Sequence, residues 1–206
     1  MKGVCAMRIG VLVSGSGTNL QAILDACATG ELPAEVVCVI SDREDAYALV
    51  RAECAGLPAM FLDPKSYHDD VAFNHAILDV LQGCGVDWVV MAGYMRLLGK
   101  EVLDAFPLHV LNIHPALLPA FPGPHGIRDA FRYGVKVTGV TVHFANEVFD
   151  DGPILAQEVV PVLEDDTEET LEAKIHKIEH RLYPAALKAI AEGRVRVEGR
   201  TVHTEQ

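Results

Sequence analysis

The sequence predicts an α/β fold with a doubly wound, mostly parallel sheet, an antiparallel C-terminal strand and a long C-terminal helix. Three observations carry this expectation. First, short apolar runs at residues 8–13, 35–40, 58–62 and 86–91 alternate with helically patterned stretches. A run apolar on both of its faces suits a strand covered on both sides, and strands alternating with helices imply a parallel sheet. Second, the first run leads into Ser14-Gly-Ser-Gly-Thr-Asn19 and then into a helix, the strand–turn–helix order of Rossmann-like sheets. Third, the pattern changes after residue 135. Residues 136–144 alternate as an antiparallel strand does, residues 154–160 form a partner beyond an acidic loop, and a helix capped by Thr167 comes next.

Length and composition narrow the class. A chain of 206 residues, half of them apolar, suits a single domain with a full core. The net charge of −12 argues against binding a nucleic-acid backbone, which needs clustered Lys and Arg. A small anion can still be held by backbone N–H groups. Cysteines 5, 27, 38, 54 and 84 are odd in number and form no C-x-x-C pair, so they read as buried thiols in a reducing compartment. No apolar run reaches membrane-spanning length, and residues 1–6 are too short for a signal peptide. The expected location is the cytoplasm.

Taken in order, the glycine-rich turn at 14–19 has two readings of equal weight. It is a cradle for a small phosphate, or a plain turn with Thr18 or Asn19 capping the helix. A dinucleotide is disfavoured because position 20 is Leu, where that motif needs a third Gly, and the P-loop Lys-Ser/Thr pair is absent. Residues 46–55 read as a helix ended by Gly56. Residues 68–82 read as another, with Val71, Ile77, Leu78 and Leu81 mostly inward. Ala92-Gly-Tyr-Met-Arg-Leu-Leu98 comes after the fourth strand, at the end of the sheet where such folds bind ligands. It reads either as a pocket wall for a flat ring or as a helix start. In the last long helix Leu171, Ile175, Ile178 and Leu182 form the expected buried stripe. His176 and His180 lie four apart, but the H-E-x-x-H pattern is missing and no metal site is expected. Val195, Val197 and Val202 flank Glu198-Gly199 in a small terminal hairpin.

The stretch 110–125 concentrates the chemistry. A strand at 108–111 leads to Asn112 and His114, two apart and therefore on one side, and then to a loop stiffened by four prolines. An amide and an imidazole at a strand end can stabilise an oxyanion and move a proton. Taken singly, each is more often a turn cap or a satisfied core residue. Asp150, on the acidic loop, is by itself an ordinary turn residue.

Six motifs together, 13–22, 92–98, 111–119, 138–144, 150–153 and 179–184, resemble the folate-dependent glycinamide ribonucleotide formyltransferase family. The resemblance runs from about residue 7 to 200. It implies one formyltransferase domain, residues 1–206, with a nucleotide- and phosphate-binding half at 7–110 and a catalytic and folate-binding half at 111–206. It implies formyl transfer from 10-formyltetrahydrofolate to the primary amine of glycinamide ribonucleotide, in purine biosynthesis, with no metal. The family's catalytic Asn, His and Asp fall on Asn112, His114 and Asp150, with a protonated His114 as oxyanion donor beside Asn112. The ribonucleotide falls on Gly15, Ser16, Gly17, Thr18, Asn19 and Glu179, and the folate on Met95, Arg96, Leu97, Leu98 and Val148. Asp151, His176 and Asp70 depart from residues usual in relatives. Asp70 would repel the folate carboxylates, with Lys65 or His68 to compensate. The partners implied are the two small molecules, with no nucleic acid and no membrane, and homodimerisation is left open.

Other formyl-handling families fit less well. Methionyl-tRNA formyltransferases would call for a C-terminal RNA-binding domain and a basic face. Formyltetrahydrofolate hydrolases would call for an N-terminal regulatory domain. A non-catalytic nucleotide-binding module is the alternative from another class.

Overall fold

The computed structural model describes residues 6–205; Cys5 and the rest of the short leader expected before the first strand lie outside the described residues, except Ala6. A seven-stranded sheet has the order β3-β2-β1-β4-β5-β6-β7. Its strands are β1 (Met7–Val13), β2 (Ala34–Ser41), β3 (Ala59–Phe61), β4 (Trp88–Met91), β5 (Val110–His114), β6 (Val137–Phe144) and β7 (Ile154–Pro161). The first five run parallel, β6 is antiparallel to β5, and β7 is antiparallel to β6. A two-stranded hairpin, β8 (Val195–Glu198) with β9 (Thr201–Thr204), lies near the C-terminus.

Helices cover both faces, as an apolar parallel sheet requires. On one face α1 (Thr18–Ala28) and the 24-residue α6 (Glu168–Ala191) pack through Leu20, Ile23, Leu171, Ile175 and Leu187 against Ile9, Val11, Leu111 and Val142. The buried alanines of α2 (Tyr47–Cys54) join the same layer. On the other face α3 (Asp70–Gly83) and α4 (Lys100–Ala105) bury Phe73, Ile77, Leu81 and Val102 against Leu12, Val89 and Val110. Tyr183 of α6 is fully buried, and its hydroxyl lies 2.9 Å from the Leu111 carbonyl and 3.1 Å from that of Met91. It thereby ties the helix to the carboxyl end of β4 and to Leu111 near the start of β5.

Several local expectations are corrected. The fifth strand starts at Val110, not 108, because Leu108 takes a left-handed φ of 57° that breaks the extended run. It continues through His114, where β6 supplies ladder partners. The helices α4 and α5 (Gly126–Tyr133) lie in stretches for which the sequence suggested no element. Val71 is half exposed, since the helix starts at Asp70 and the inward stripe runs through Phe73, Ile77 and Leu81. In α6 the i,i+4 stripe passes through Glu179 and Tyr183, so Ile178 and Leu182 are only half-buried beside it. Of the cysteines, Cys38 is buried but Cys54 is exposed; it sits about 200° around α2 from buried Ala52. Thr167 does cap α6, in a reciprocal box with Thr170.

Candidate active site

The carboxyl ends of β1, β4 and β5 open into a cleft of about 450 Å³, within the size range of small-molecule sites. The turn 15–19, the segment 95–98, the end of β5 and the acidic loop all border it.

Strand parity and register build its centre. Leu111 and Ile113 face the α1/α6 core, so Asn112 and His114 point to the opposite side. Across the antiparallel ladder Asn112 pairs with His143 and His114 with Thr141. Directly opposite side chains on one face lie close, and Asn112 Nδ2 is 3.1 Å from His143 Nε2. His143 Nδ1 donates to the Phe144 carbonyl at 3.0 Å, and its Nε2 lies between the Asn112 amide and Asp150 Oδ1, 3.5 Å from the latter. Asn112 Nδ2 also donates to Asp150 Oδ1, at a longer 3.3 Å.

Asp150 reaches this pair from the loop after β6. Its φ of 55° is left-handed, an uncommon conformation outside glycine that turns the chain sharply. The carboxylate is only 6% exposed. Gly123 N–H donates to Oδ2 at 2.7 Å, and His114 Nδ1 lies 3.4 Å from the same oxygen. Gly152, two residues on, is held under the Phe144 carbonyl oxygen, where a Cβ would overlap.

Two pKa shifts arise from this enclosure. Burial would raise the Asp150 pKa, but the His143 contact, the Gly123 N–H and the nearby imidazoles more than offset it, and the net shift is downward. Burial lowers the His114 pKa, and the Asp150 charge only partly restores it. His114 Nε2–H donates to the Phe121 carbonyl at 2.8 Å, so in the neutral ring the lone pair sits on Nδ1, facing Asp150. The expected role of a protonated His114 as oxyanion donor would require its Nε2 proton to turn away from Phe121 and the ring to carry a charge that burial opposes. Its Nε2 proton is committed elsewhere, and the ring tends to be neutral.

The phosphate-cradle reading of residues 14–19 gains over the plain turn. Neither Thr18 nor Asn19 caps α1. The cap position is Gly17, left-handed at φ 72°, and no side chain satisfies the helix N-terminus. The first N–H groups of a helix have no intrahelical partners, so they face the cleft available to an anion. Asn19 instead donates to buried Glu179 Oε2 at 3.1 Å, joining the turn to α6.

At the other end of the cleft Met95, Leu97 and Val148 are exposed apolar side chains, while Leu98 is buried. Arg96 lies over the Phe73 ring at 5.4 Å and pairs with Asp70 at 2.6 Å. Asp70 is thus matched by Arg96, and neither Lys65 nor His68 borders the cleft. Asp151 faces away toward Arg200, at 3.3 Å.

The structure therefore brings every expected site residue to this one cleft. His143, which borders the cleft and touches Asn112, is a candidate that the sequence motifs alone did not single out. Its parity with Thr141 was readable, but its place opposite Asn112 needs the β5–β6 register. Among the described residues no group of three or more His, Cys, Asp or Glu side chains is arranged to hold a metal ion, and no helix is long and apolar enough to cross a membrane.

Comparison with known proteins adds an independent finding. Residues 7–187 match the formyl transferase family model. A phosphoribosylglycinamide formyltransferase of Mycobacterium tuberculosis is 48% identical over 194 residues, covering 94% of this chain and 89% of that protein. The crystal structure of glycinamide ribonucleotide transformylase 1 from Symbiobacterium toebii is 55% identical and superposes with a TM-score of 0.95, over 97% of this chain and 94% of that one. A formyltetrahydrofolate deformylase from Pseudomonas syringae superposes at 0.90 with 27% identity, covering 98% of this chain but 67% of its own.

Proposed function

Because the chain belongs to the formyl transferase family, we propose that it transfers the formyl group of 10-formyltetrahydrofolate to the primary amine of glycinamide ribonucleotide, a step of purine biosynthesis carried out in the cytoplasm. The observation that carries this reading is the Asn112–His114–Asp150 cluster in the same cleft as the uncapped N-terminus of α1. One end suits a phosphate and the centre suits acyl transfer. In this reading the chain is one formyltransferase domain. Residues 7–110 supply the phosphate-binding half and residues 111–206 the catalytic half, with the segment 95–98 reaching across to the folate.

The chemistry derives from the contacts. The substrate amine attacks the formyl carbon, and the carbonyl electrons move to oxygen. Asn112 turns its longer, 3.3 Å hydrogen bond from Asp150 onto that oxyanion, while the His143 contact keeps the amide in place. The amine proton passes to the free Nδ1 of His114. The imidazolium formed is stabilised by Asp150, 3.4 Å away. The proton then goes to N10 of the folate as the bond from that nitrogen to the formyl carbon breaks. Asp150 stays ionised throughout, held so by Gly123 N–H. No covalent enzyme intermediate is needed.

Met95, Leu97 and Val148 offer an apolar surface to the folate ring system, with Arg96 beside it. The glycine-rich turn and Glu179 take the ribonucleotide. The test is a formyl-transfer assay with both substrates, and with water as competing acceptor. Formylated ribonucleotide is the expected product. Formate released at the same rate without ribonucleotide would make the chain a hydrolase.

A further inference from the structure

The C-terminal hairpin contributes no residue to the wall of the cleft. It is nonetheless firmly seated. Val195, Val197 and Val202 pack against the α1/α6 core, and β9 runs beside β7. Arg194 and Glu205 close its base: Glu205 N–H donates to the Arg194 carbonyl at 2.9 Å, and Arg194 Nη1 donates to the Glu205 carbonyl at 3.0 Å. Glu198 pairs with Thr201, so the two strands are joined by the two-residue turn Gly199-Arg200. Arg200 thus stands at the tip of a small, anchored ribbon.

What the tip reaches is the loop that carries Asp150. Arg200 Nη1 lies 3.3 Å from Asp151 Oδ2, and Nη2 lies 3.5 Å from Asp151 Oδ1, the two-pronged match of a guanidinium to a carboxylate. Asp150 and Asp151 point opposite ways. Asp150 is enclosed beside His114 and Gly123, while Asp151 is exposed and turned to the hairpin. The turn between them uses the left-handed φ of 55° at Asp150, a conformation that a residue with a Cβ resists. The start of the loop is held separately. Ala145 N–H donates to the Val110 carbonyl at 2.9 Å, and Glu147 meets Lys100 at 3.2 Å.

We infer that the C-terminal hairpin braces the catalytic loop, with Arg200 as a positioning residue that holds Asp150 in place by gripping Asp151. The inference rests on the role proposed above for Asp150. In that reaction Asn112 leaves Asp150 to meet the oxyanion. Asp150 must then support the His114 imidazolium with only the Gly123 N–H and its own backbone to fix it. That backbone is strained, and the Arg200–Asp151 pair favours the strained conformer. An exposed ion pair shifts such a balance by about two- to fivefold, and salt screens it. The brace acts on turnover and, through Val148 on the same loop, on the folate. The ribonucleotide, on residues 15–19 and Glu179, lies outside its reach.

The test is steady-state formyl transfer with each substrate varied, by wild type, Arg200→Gln, Asp151→Asn, the double variant and Arg200→Lys. It is run at about 0.01 M and about 1 M salt, between which the screening length falls from about 30 Å to about 3 Å. At low salt Arg200→Gln and Asp151→Asn each lower turnover about two- to fivefold and raise the Michaelis constant for the folate, with that for the ribonucleotide unchanged. The double variant loses no more than either single one, because both remove the same contact. Arg200→Lys, which keeps the charge, retains most of the turnover. At high salt the ratio of each variant to wild type returns to one. Thermal midpoints stay within about 2–4 °C of wild type, which separates the effect from a loss of folding. Wild-type turnover in Arg200→Gln and Asp151→Asn at low salt, or losses that multiply in the double variant, overturn the brace. Asp150→Asn is measured alongside. Near-native turnover there overturns the role of Asp150 and the brace with it, whereas a loss of about 10²–10⁴-fold beside undiminished Arg200 and Asp151 variants overturns the brace alone.

Discussion

At the residue scale, the chemistry depends on which proton each side chain can spare. His114 donates from Nε2 to Phe121, so Nδ1 is its working nitrogen, and burial keeps it neutral near pH 7. A base of lowered pKa loses function only in acid. The rate with saturating substrates should hold steady from about pH 8 down to the ordinary His value of about 6.5 and fall below it. A pH–rate profile that already declines below pH 8 would contradict this assignment. Asp150→Asn removes the anion that supports the imidazolium. We expect turnover to fall by about 10²–10⁴-fold and the acid limb to move to still lower pH. Kinetics of the variant across pH check both, and near-native turnover would return Asp150 to an ordinary turn residue. The parity that puts Asn112 and His114 on one side was legible in the sequence, because side chains alternate along any strand. The His143 partner was not, since register arises from the whole ladder. Nor was the tautomer of His114, which is set by the Phe121 carbonyl seven residues away.

At the element scale, two glycine-containing segments position the chemistry for different reasons. Gly17 takes a left-handed φ at the start of α1, and a Cβ there would lie 2.6 Å from that of Ala48. Gly15 has open space where its Cβ would stand. Gly15→Val should therefore leave stability within about 0.5 kcal/mol and obstruct only a ligand. We expect the Michaelis constant for the ribonucleotide to rise at least about tenfold, with that for the folate nearly unchanged. Steady-state kinetics with each substrate varied would show it, and an equal loss for both would remove the phosphate from this turn. Gly152 is constrained differently, by the Phe144 carbonyl oxygen beneath it. Gly152→Ala should cost about 1–3 kcal/mol in urea unfolding and displace Asp150, so that activity falls in the fraction that remains folded. The strand–turn–helix order of residues 7–28 could be read directly, because glycines and hydrophobic period announce it. The helices α4 and α5 could not. α4 is a six-residue helix, and α5 comes after the proline loop with only a short apolar face of Ile127, Ala130 and Phe131.

At the scale of the whole molecule, a cleft at the carboxyl ends of the strands needs those ends held in register with the helices behind them. Tyr183 does this through one hydroxyl beside two carbonyls, those of Met91 and Leu111. Tyr183→Phe should cost about 1–3 kcal/mol, the range for buried groups left without a partner, and should loosen the site without removing any group that touches substrate. Thermal unfolding together with turnover would check this, and a variant as stable as wild type would mean that packing alone aligns the sheet. The α/β class was legible from the alternation of apolar runs with helical patterns. The gathering of residues 15–19, 95–98 and 112–114 in one place was legible from the rule that ligands bind where parallel strands end, whereas Asp150, on the loop after an antiparallel strand, was placed with them only by the family resemblance. What the sequence left open was the pairing of charges across the cleft, such as Asp70 with Arg96, because long side chains choose partners only once the backbone is fixed. The central claim is that Asn112 and His114 act together on one tetrahedral intermediate. It is tested most directly by the turnover of Asn112→Ala, His114→Ala and the double variant, with folding verified by circular dichroism. Each single change is expected to lower turnover by about 10²–10³-fold, and the double variant to lose far less than the product of the two. Near-native turnover in either single variant, or a double loss equal to that product, would contradict it.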